Sequence, residues 1–299
     1  MSRASVQRDP ELEARLSRHI GGRPVHAFQQ VGSTMEVAHQ LAAEGAAEGT
    51  LVVAARQEQG RGRQGRTWAS PEGGAYCSLI LRPARPPSET PQLSLVAGLA
   101  AAEAIRDMAC LYPAIRWPND LLLREKKVAG ILTEQKVPGC SVEHPRMAAG
   151  DAEPGPPPPA RRPRRPRTAD GVAARQDPRP GVVIIGIGIN VATNPAQLPE
   201  GSTSLAAEGA PHVSREELLA GWCRRFSAWY EVWTRQGFGP IREALRPWIG
   251  LFGHPVQLTA GSEQLQGTAQ DLDESGRLLV RLDSGVQRAF EMGEVALLR

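Results

Sequence analysis

Residues 57–70 read Gln57-Glu58-Gln59-Gly60-Arg61-Gly62-Arg63-Gln64-Gly65-Arg66-Thr67-Trp68-Ala69-Ser70. Glycine lets backbone approach a ligand and take positive φ without steric cost. Arginine adds a permanent charge and a planar fork of donors that fits carboxylate and phosphate. Together they predict a loop that surrounds a small anion. Like charges this close repel, so the empty loop is expected to be soft and to close when an anion relieves the repulsion. The glycines also spell G-x-G-x-x-G, the dinucleotide fingerprint, which must open a helix after a strand. Here Pro71 and the pair Gly73-Gly74 follow, so no helix starts and a doubly wound nucleotide fold is rejected. Two other readings compete: an RGG-like RNA-binding segment and a plain surface loop. The RNA-binding reading is weakened because residues 51–55 and 75–81, on either side, are apolar strand candidates.

Working outward, residues 11–20 suit a short helix with Leu12, Leu16 and Ile20 on one face, and residues 25–28 a strand. Ser33 or Thr34 is a good N-cap for a helix over 34–44 that Gly45 would end. Capping alone is the plainer role for both. Residues 91–108 form an Ala/Leu-rich helix, 115–117 a strand, and Pro118-Asn119-Asp120 a turn. Residues 121–123 and 128–133 read as a hairpin about Arg124-Glu125-Lys126-Lys127, where Lys127 taken alone is a solvated turn lysine. The β-branched run 182–190 reads as a buried strand, with Gly186 and Gly188 on one face at period two, leaving room for a backbone or a ligand. Ser214 and Glu217 form a capping box for a helix to about residue 235, with Leu218, Trp222, Phe226 and Trp229 as its core face. A second helix spans 240–249. Five short strands separated by turn signals then fill 256–298, as in a small SH3-like β-barrel.

The 299 residues allow one large or two moderate domains. Net charge is +3, much of it in one segment, so no general nucleic-acid surface is implied. That segment, 138–180, carries four consecutive prolines and Arg161-Arg162-Pro163-Arg164-Arg165-Pro166-Arg167 with almost no apolar bulk. It predicts a disordered insertion in a β-connection, with SH3-like or nucleic-acid binding as rival uses. The four cysteines (Cys77, Cys110, Cys140, Cys223) are far apart and include no C-x-x-C, which points to a reducing compartment. No apolar leader or span is present, so the expectation is a soluble cytoplasmic protein.

Several stretches, in this order, resemble the biotin protein ligases: Ser33-Thr34, Gln57, the run Gly60 to Trp68, Arg116-Trp117-Pro118-Asn119-Asp120, Lys127-Val128-Ala129-Gly130-Ile131-Leu132 and Gly186-Ile187-Gly188-Ile189-Asn190. The resemblance covers residues 31–190, and the C-terminal strands also suit the family. It implies an α+β fold: a central mixed sheet flanked by helices, as in class II synthetases, over residues 1–250, with an SH3-like barrel over 251–299. It implies that biotin and ATP form biotinyl-adenylate, with Mg²⁺ on the phosphates and no metal ligand from the protein itself. The biotin would then pass to a lysine of a biotin carboxyl carrier protein domain.

The resemblance assigns Ser33, Thr34, Met35, Gln57, Gly62, Trp68, Lys127 and Gly130 to biotin, with Arg61 and Arg63 on its carboxyl group. It assigns Arg61, Arg63, Arg66, Trp68, Asn119, Lys127 and Asn190 to ATP, and puts Asp120 beside the reacting centre with Lys127, Arg61 and Arg63. The chain departs from the family at Met35, where Asn is usual, and in the insertion. Only about thirty residues precede Ser33, fewer than the DNA-binding domain of some members needs, so a ligase without repressor function is expected. A homodimer through the central sheet is a further family expectation. A lipoate or octanoate ligase on the same fold and a nucleic-acid-binding protein are the alternatives.

Overall fold

The computed structural model describes residues 7–20, 22–136, 181–260, 263–291 and 293–298. The expectations for 138–180, Cys140 included, lie outside the described residues. Eight strands form one mixed sheet: β1 (Gln7–Arg8), β2 (Val25–Val31), β3 (Leu51–Gln57), β4 (Gly74–Leu81), β5 (Ala114–Arg116), β6 (Asp120–Leu123), β7 (Lys126–Lys136) and β8 (Val182–Asn190). Their order is β1-β2-β3-β4-β8-β7-β6-β5, with β2 and β3 parallel and the other neighbours antiparallel. The helices are α1 (Pro10–Ile20), α2 (Thr34–Ala43), α3 (Gln92–Ala109), α4 (Arg215–Gln236) and α5 (Gly239–Leu245). Strand β1 was not legible in the polar N-terminus. Its two residues pair with β2, and the next residue, Asp9, caps α1 by accepting from Leu12 N at 2.9 Å.

Period-two alternation sorts the sheet into two faces. Ala27, Leu51, Val53, Leu79, Ile185 and Ile187 pack on the side of α1, α3 and α4. Phe28, Val52, Ala54, Ile80 and Ile184 pack against Met35, Ala38 and Ala42 of α2. Because Ile184 faces α2, so do Gly186 and Gly188. Helix α2 covers only part of that face, and the glycines lie where its cover runs out.

On α4 the fully buried aromatics are Trp222, Phe226 and Trp233. Trp229, expected in the core face, is half-buried and donates to Glu103 Oε2 at 2.9 Å. The ring at the end of the stack is Trp233, 5.7 Å from Tyr230 centroid to centroid.

Strands β9 (Pro255–Ala260), β10 (Glu263–Leu272), β11 (Leu278–Leu282), β12 (Gln287–Phe290) and β13 (Glu294–Leu297) form an antiparallel sheet ordered β12-β11-β10-β9-β13. It is locked to the larger sheet's helices and turns by side chains reaching one loop. Trp117 Nε1 donates to Gly276 O at 3.1 Å and Gln92 Nε2 to Glu274 O at 3.3 Å. Trp233 Nε1 holds Gln92 by donating to its Oε1 at 2.6 Å.

Candidate active site

The floor of the site follows from strand register. Gly188 pairs with Gly130, Gly130 with Asp120, and Asp120 with Arg116. Directly opposed residues share a face, so these four form a row across β8, β7, β6 and β5. The two glycines leave the middle of that row bare. A Cβ at Gly188 would fall 2.3 Å from Trp68 Nε1, and one at Gly130 would fall 2.9 Å from Trp68 Cζ3. The indole of Trp68 therefore lies directly on the glycine backbone. Met35 Sδ occupies the space over Gly186 in the same way, 2.6 Å from where a Cβ would be. Met35 thus serves as packing at the end of the floor.

Lys127 reaches this face through a bulge. Leu121 pairs with Ala129 but Leu122 with Lys127, so Val128 is the extra residue in β7. Strict alternation would put Lys127 opposite to Gly130; the bulge returns it to the same side, with Cε 3.3 Å from a Cβ placed on Gly130. The turn reading of Lys127 is corrected accordingly. The hairpin turn is Arg124-Glu125, both at positive φ (47° and 66°). Lys127 is a strand residue whose N–H donates to Gly201 O at 2.8 Å and whose carbonyl accepts from Thr203 N at 2.9 Å. Its ammonium stands 2.7 Å from Asp120 Oδ1, as an ion pair without hydrogen-bond alignment, and 5.2 Å from the Trp68 ring centroid. Arg116 holds the other oxygen of Asp120 at 2.8 Å.

The Arg/Gly loop is folded on itself. Trp68 N donates to Gly60 O at 2.9 Å and Gly62 N to Arg66 O at 2.7 Å, closing a small hairpin round the turn Arg63–Gly65. Gly60 is forced by the closeness of the returning chain, since a Cβ there would lie 2.3 Å from Trp68 O. Each arginine finds its own acceptor on a different element, which is how the expected repulsion is met. Arg61 pairs with Glu134 of β7 at 2.7 Å, Arg63 donates to Asn119 Oδ1 at 2.8 Å, and Arg66 pairs with Glu294 of β13. Asn119 is itself oriented by donating to Ile131 O at 2.9 Å. Burial pushes the Arg63 pKa below its ordinary value, with Asp120 opposing that shift.

At the N-terminus of α2 the capping expectation is corrected. Ser33 occupies the N-cap position, yet its hydroxyl makes no cap bond and is buried with no hydrogen-bond partner among the described residues. Gln57 caps instead: its Oε1 accepts from Thr34 N at 2.8 Å and Thr34 Oγ1 at 3.0 Å, while Nε2 donates to Ser70 Oγ at 2.8 Å.

These elements enclose a cavity of ≈ 400 Å³. Thr34, Met35, Gln57, Arg61, Gly62 and Arg63 line it, and so do Arg66, Trp68, Asn119, Asp120, Lys127 and Gly130. Ser33 and Asn190 stand behind its wall. Asn190 is buried at the end of β8, donates to Thr203 O at 2.9 Å, and leaves Oδ1 unpartnered among the described residues. The sequence reading left several contributors unassigned. Arg116 had a signal, because it is four residues from Asp120 across a turn. Glu134 and the β13 side of the wall, Glu294 and Val295, had none, since only tertiary folding brings them there. Among the described residues no His, Cys, Asp and Glu group could hold a metal ion, and no helix is long and apolar enough to cross a membrane.

Comparison with known proteins agrees with this fold. Models of the biotin/lipoate A/B protein ligase family match residues 27–145 and 166–247, and a model of the biotin protein ligase C-terminal domain matches 251–298. A biotin–[acetyl-CoA-carboxylase] ligase of Paracoccus denitrificans is 31% identical over 253 residues, 82% of this chain and 89% of the relative. The bifunctional ligase/repressor BirA of Bacillus subtilis is 30% identical over 287 residues, 94% of this chain and 77% of the relative. A solved biotin protein ligase from Aquifex aeolicus, in complex with biotin and ATP, superposes with a TM-score of 0.66 at 27% identity, covering 92% of this chain and 99% of the other.

Proposed function

Because this chain belongs to the biotin/lipoate A/B protein ligase family and is a ligase, we propose that it activates biotin with ATP and passes it to a carrier-protein lysine. The observation that carries this reading is the meeting of an aromatic wall with a group of cations. Gly130 and Gly188 let the Trp68 indole lie against the strand backbone, and Lys127, Arg61 and Arg63 border the same cavity. A compact, largely apolar ring system on a chain that ends in a carboxylate matches that combination.

In the first step the biotin carboxylate attacks the α-phosphorus of ATP, and pyrophosphate leaves with the electron pair of the broken P–O bond. Two anions must meet, so Lys127 and the loop arginines offset their repulsion and stabilise charge that grows in the transition state. Asp120 holds the Lys127 ammonium over the floor and keeps it from following bulk water. In the second step a neutral lysine amine of the carrier domain attacks the acyl carbon, and AMP leaves. Trp68 and the folded loop exclude water from the mixed anhydride in between. Mg²⁺ enters this reading as the counter-ion of the triphosphate.

The test is biotin-dependent, Mg·ATP-dependent release of pyrophosphate, followed by labelling of one lysine on a carrier domain. Activity with lipoate or octanoate and none with biotin would overturn the choice of substrate. A steeply salt-dependent affinity for DNA or RNA with no pyrophosphate release would restore the nucleic-acid alternative.

Arg63 supplies a sharper measurement. A lysine at 63 keeps the charge but cannot bond Asn119 and present further donors to the cavity together. Arg63→Lys is expected to cost on the order of 1.5–3 kcal/mol of adenylate binding, the scale of a charge-assisted hydrogen bond. Biotinyl-adenylate should leave roughly 10- to 150-fold faster and label bystander proteins. An off-rate equal to the parent's would reduce Arg63 to electrostatic steering.

A further inference from the structure

Glu134 is a half-buried carboxylate that the reaction above does not use. Along β7, Gly130, Leu132 and Glu134 alternate onto one face, opposite Gly188, Gly186 and Ile184 of β8. Helix α2 lies across that face, with Met35 over Gly186 and, one turn on, His39 over Glu134. His39 Nε2 donates to Glu134 Oε2 at 2.7 Å, and Arg61 approaches Oε1 at 2.7 Å. Both carboxylate oxygens are therefore engaged by groups from two different elements. The bond from His39 and then the charge of Arg61 hold the Glu134 carboxyl below its ordinary pKa, against the effect of burial.

We propose that Glu134 is a positioning residue for adenylate formation: clamped by His39, it fixes the Arg61 guanidinium so that its remaining donors face the cavity. The guanidinium is planar, so fixing one nitrogen fixes the direction of the others. Arg61 lines the cavity and Glu134 does not, so the carboxylate grips from outside the space a ligand would fill. A decoy anion that a ligand must displace would stand inside that space. The backbone of Arg61 is held as well, bridged to Thr67. The other loop contacts cannot do this work. Arg66 and Glu294 are both largely exposed and screened by water, and the Arg63 partner is a neutral amide.

The inference rests on the proposed function for the identity of the ligand, but the geometry concerns any small anion, so the test has a readout free of biotin. Pyrophosphate binding would be measured by calorimetry, with KM for biotin and kcat alongside, in Glu134→Gln, His39→Leu, Arg61→Ala and the double variant Glu134→Gln/Arg61→Ala. Contacting residues in one network couple measurably in such cycles. Glu134→Gln should raise the pyrophosphate Kd and the biotin KM about tenfold, with kcat within about threefold. His39→Leu should raise the same constants about threefold and provides the answer independently if Glu134→Gln folds poorly. In the Arg61→Ala background, Glu134→Gln should change the pyrophosphate Kd by less than about twofold. Tighter pyrophosphate binding by Glu134→Gln would overturn the proposal in favour of a decoy. An equal loss with and without Arg61 would overturn it in favour of a purely structural carboxylate. A chain that shows the expected cycle with pyrophosphate yet makes no biotinyl-adenylate would sink the functional reading and leave the role of Glu134 standing.

Discussion

Lys127→Ala is expected to lower biotin-dependent pyrophosphate exchange by on the order of 10³-fold, the scale for removing one preorganised charge from a catalytic site. Its fold survives, for reasons visible in the structure. The backbone bonds of Lys127 to Gly201 and Thr203 do not involve the side chain. Asp120 keeps Arg116 at 2.8 Å, so the carboxylate is not left bare. The loss should stay near 1 kcal/mol, which for a chain of this size lowers the melting temperature by about 4 °C or less. Lys127→Arg should recover only part of the rate, because a guanidinium is too wide for the gap between Asp120 and the Trp68 ring. Exchange within tenfold of the parent in Lys127→Ala would reduce this lysine to a strand-edge cation.

Gly188→Val should also weaken the enzyme, by a different route. Its first side-chain atom would fall 2.3 Å from Trp68 Nε1, so the indole must leave the floor or the strand must shift. Strand β8 pairs along its length with β4 and β7, and valine is at home in a buried strand, so the indole yields. Overpacking of this kind costs about 1–3 kcal/mol. Here that cost falls on ligand binding, and the biotin Kd should rise between about 5- and 150-fold with unchanged far-ultraviolet circular dichroism. Binding by Gly188→Val as tight as the parent's would mean that the indole seated on the glycines does not shape the ligand site.

The strands and helices were legible because their patterns are local. Within the run 182–190, residues 185–189 alternate isoleucine and glycine, and that alternation alone predicted a bare strip on one face. The loop was legible as a candidate anion site from three arginines interleaved with three glycines, and all three arginines line the cavity. What stayed hidden depends on partners distant in sequence. Nothing near Lys127 reveals the extra residue at Val128, yet without that bulge the lysine would face the wrong side. Ser33 looks like a cap, but Gln57, twenty-four positions later, takes the job and leaves the serine hydroxyl without a partner among the described residues. Trp229 and Trp233 are equally aromatic, and only the packing of α4 on α3 decides which is buried. The acceptors of Arg61 and Arg66 come from β7 and β13, so the sequence predicted repulsion where the fold provides pairing.

The ladder between β7 and β8 runs unbroken from Ala129↔Ile189 to Lys136↔Val182. The glycine floor lies at one end, and the chain leaves for residues 137–180 at the other. Six paired steps at about 3.4 Å each put roughly 20 Å of rigid backbone between them. Such a ladder acts as an insulator: a change in the length of the connection at 137–180 meets six paired steps of backbone before it can disturb the register that aligns Gly130 with Gly188.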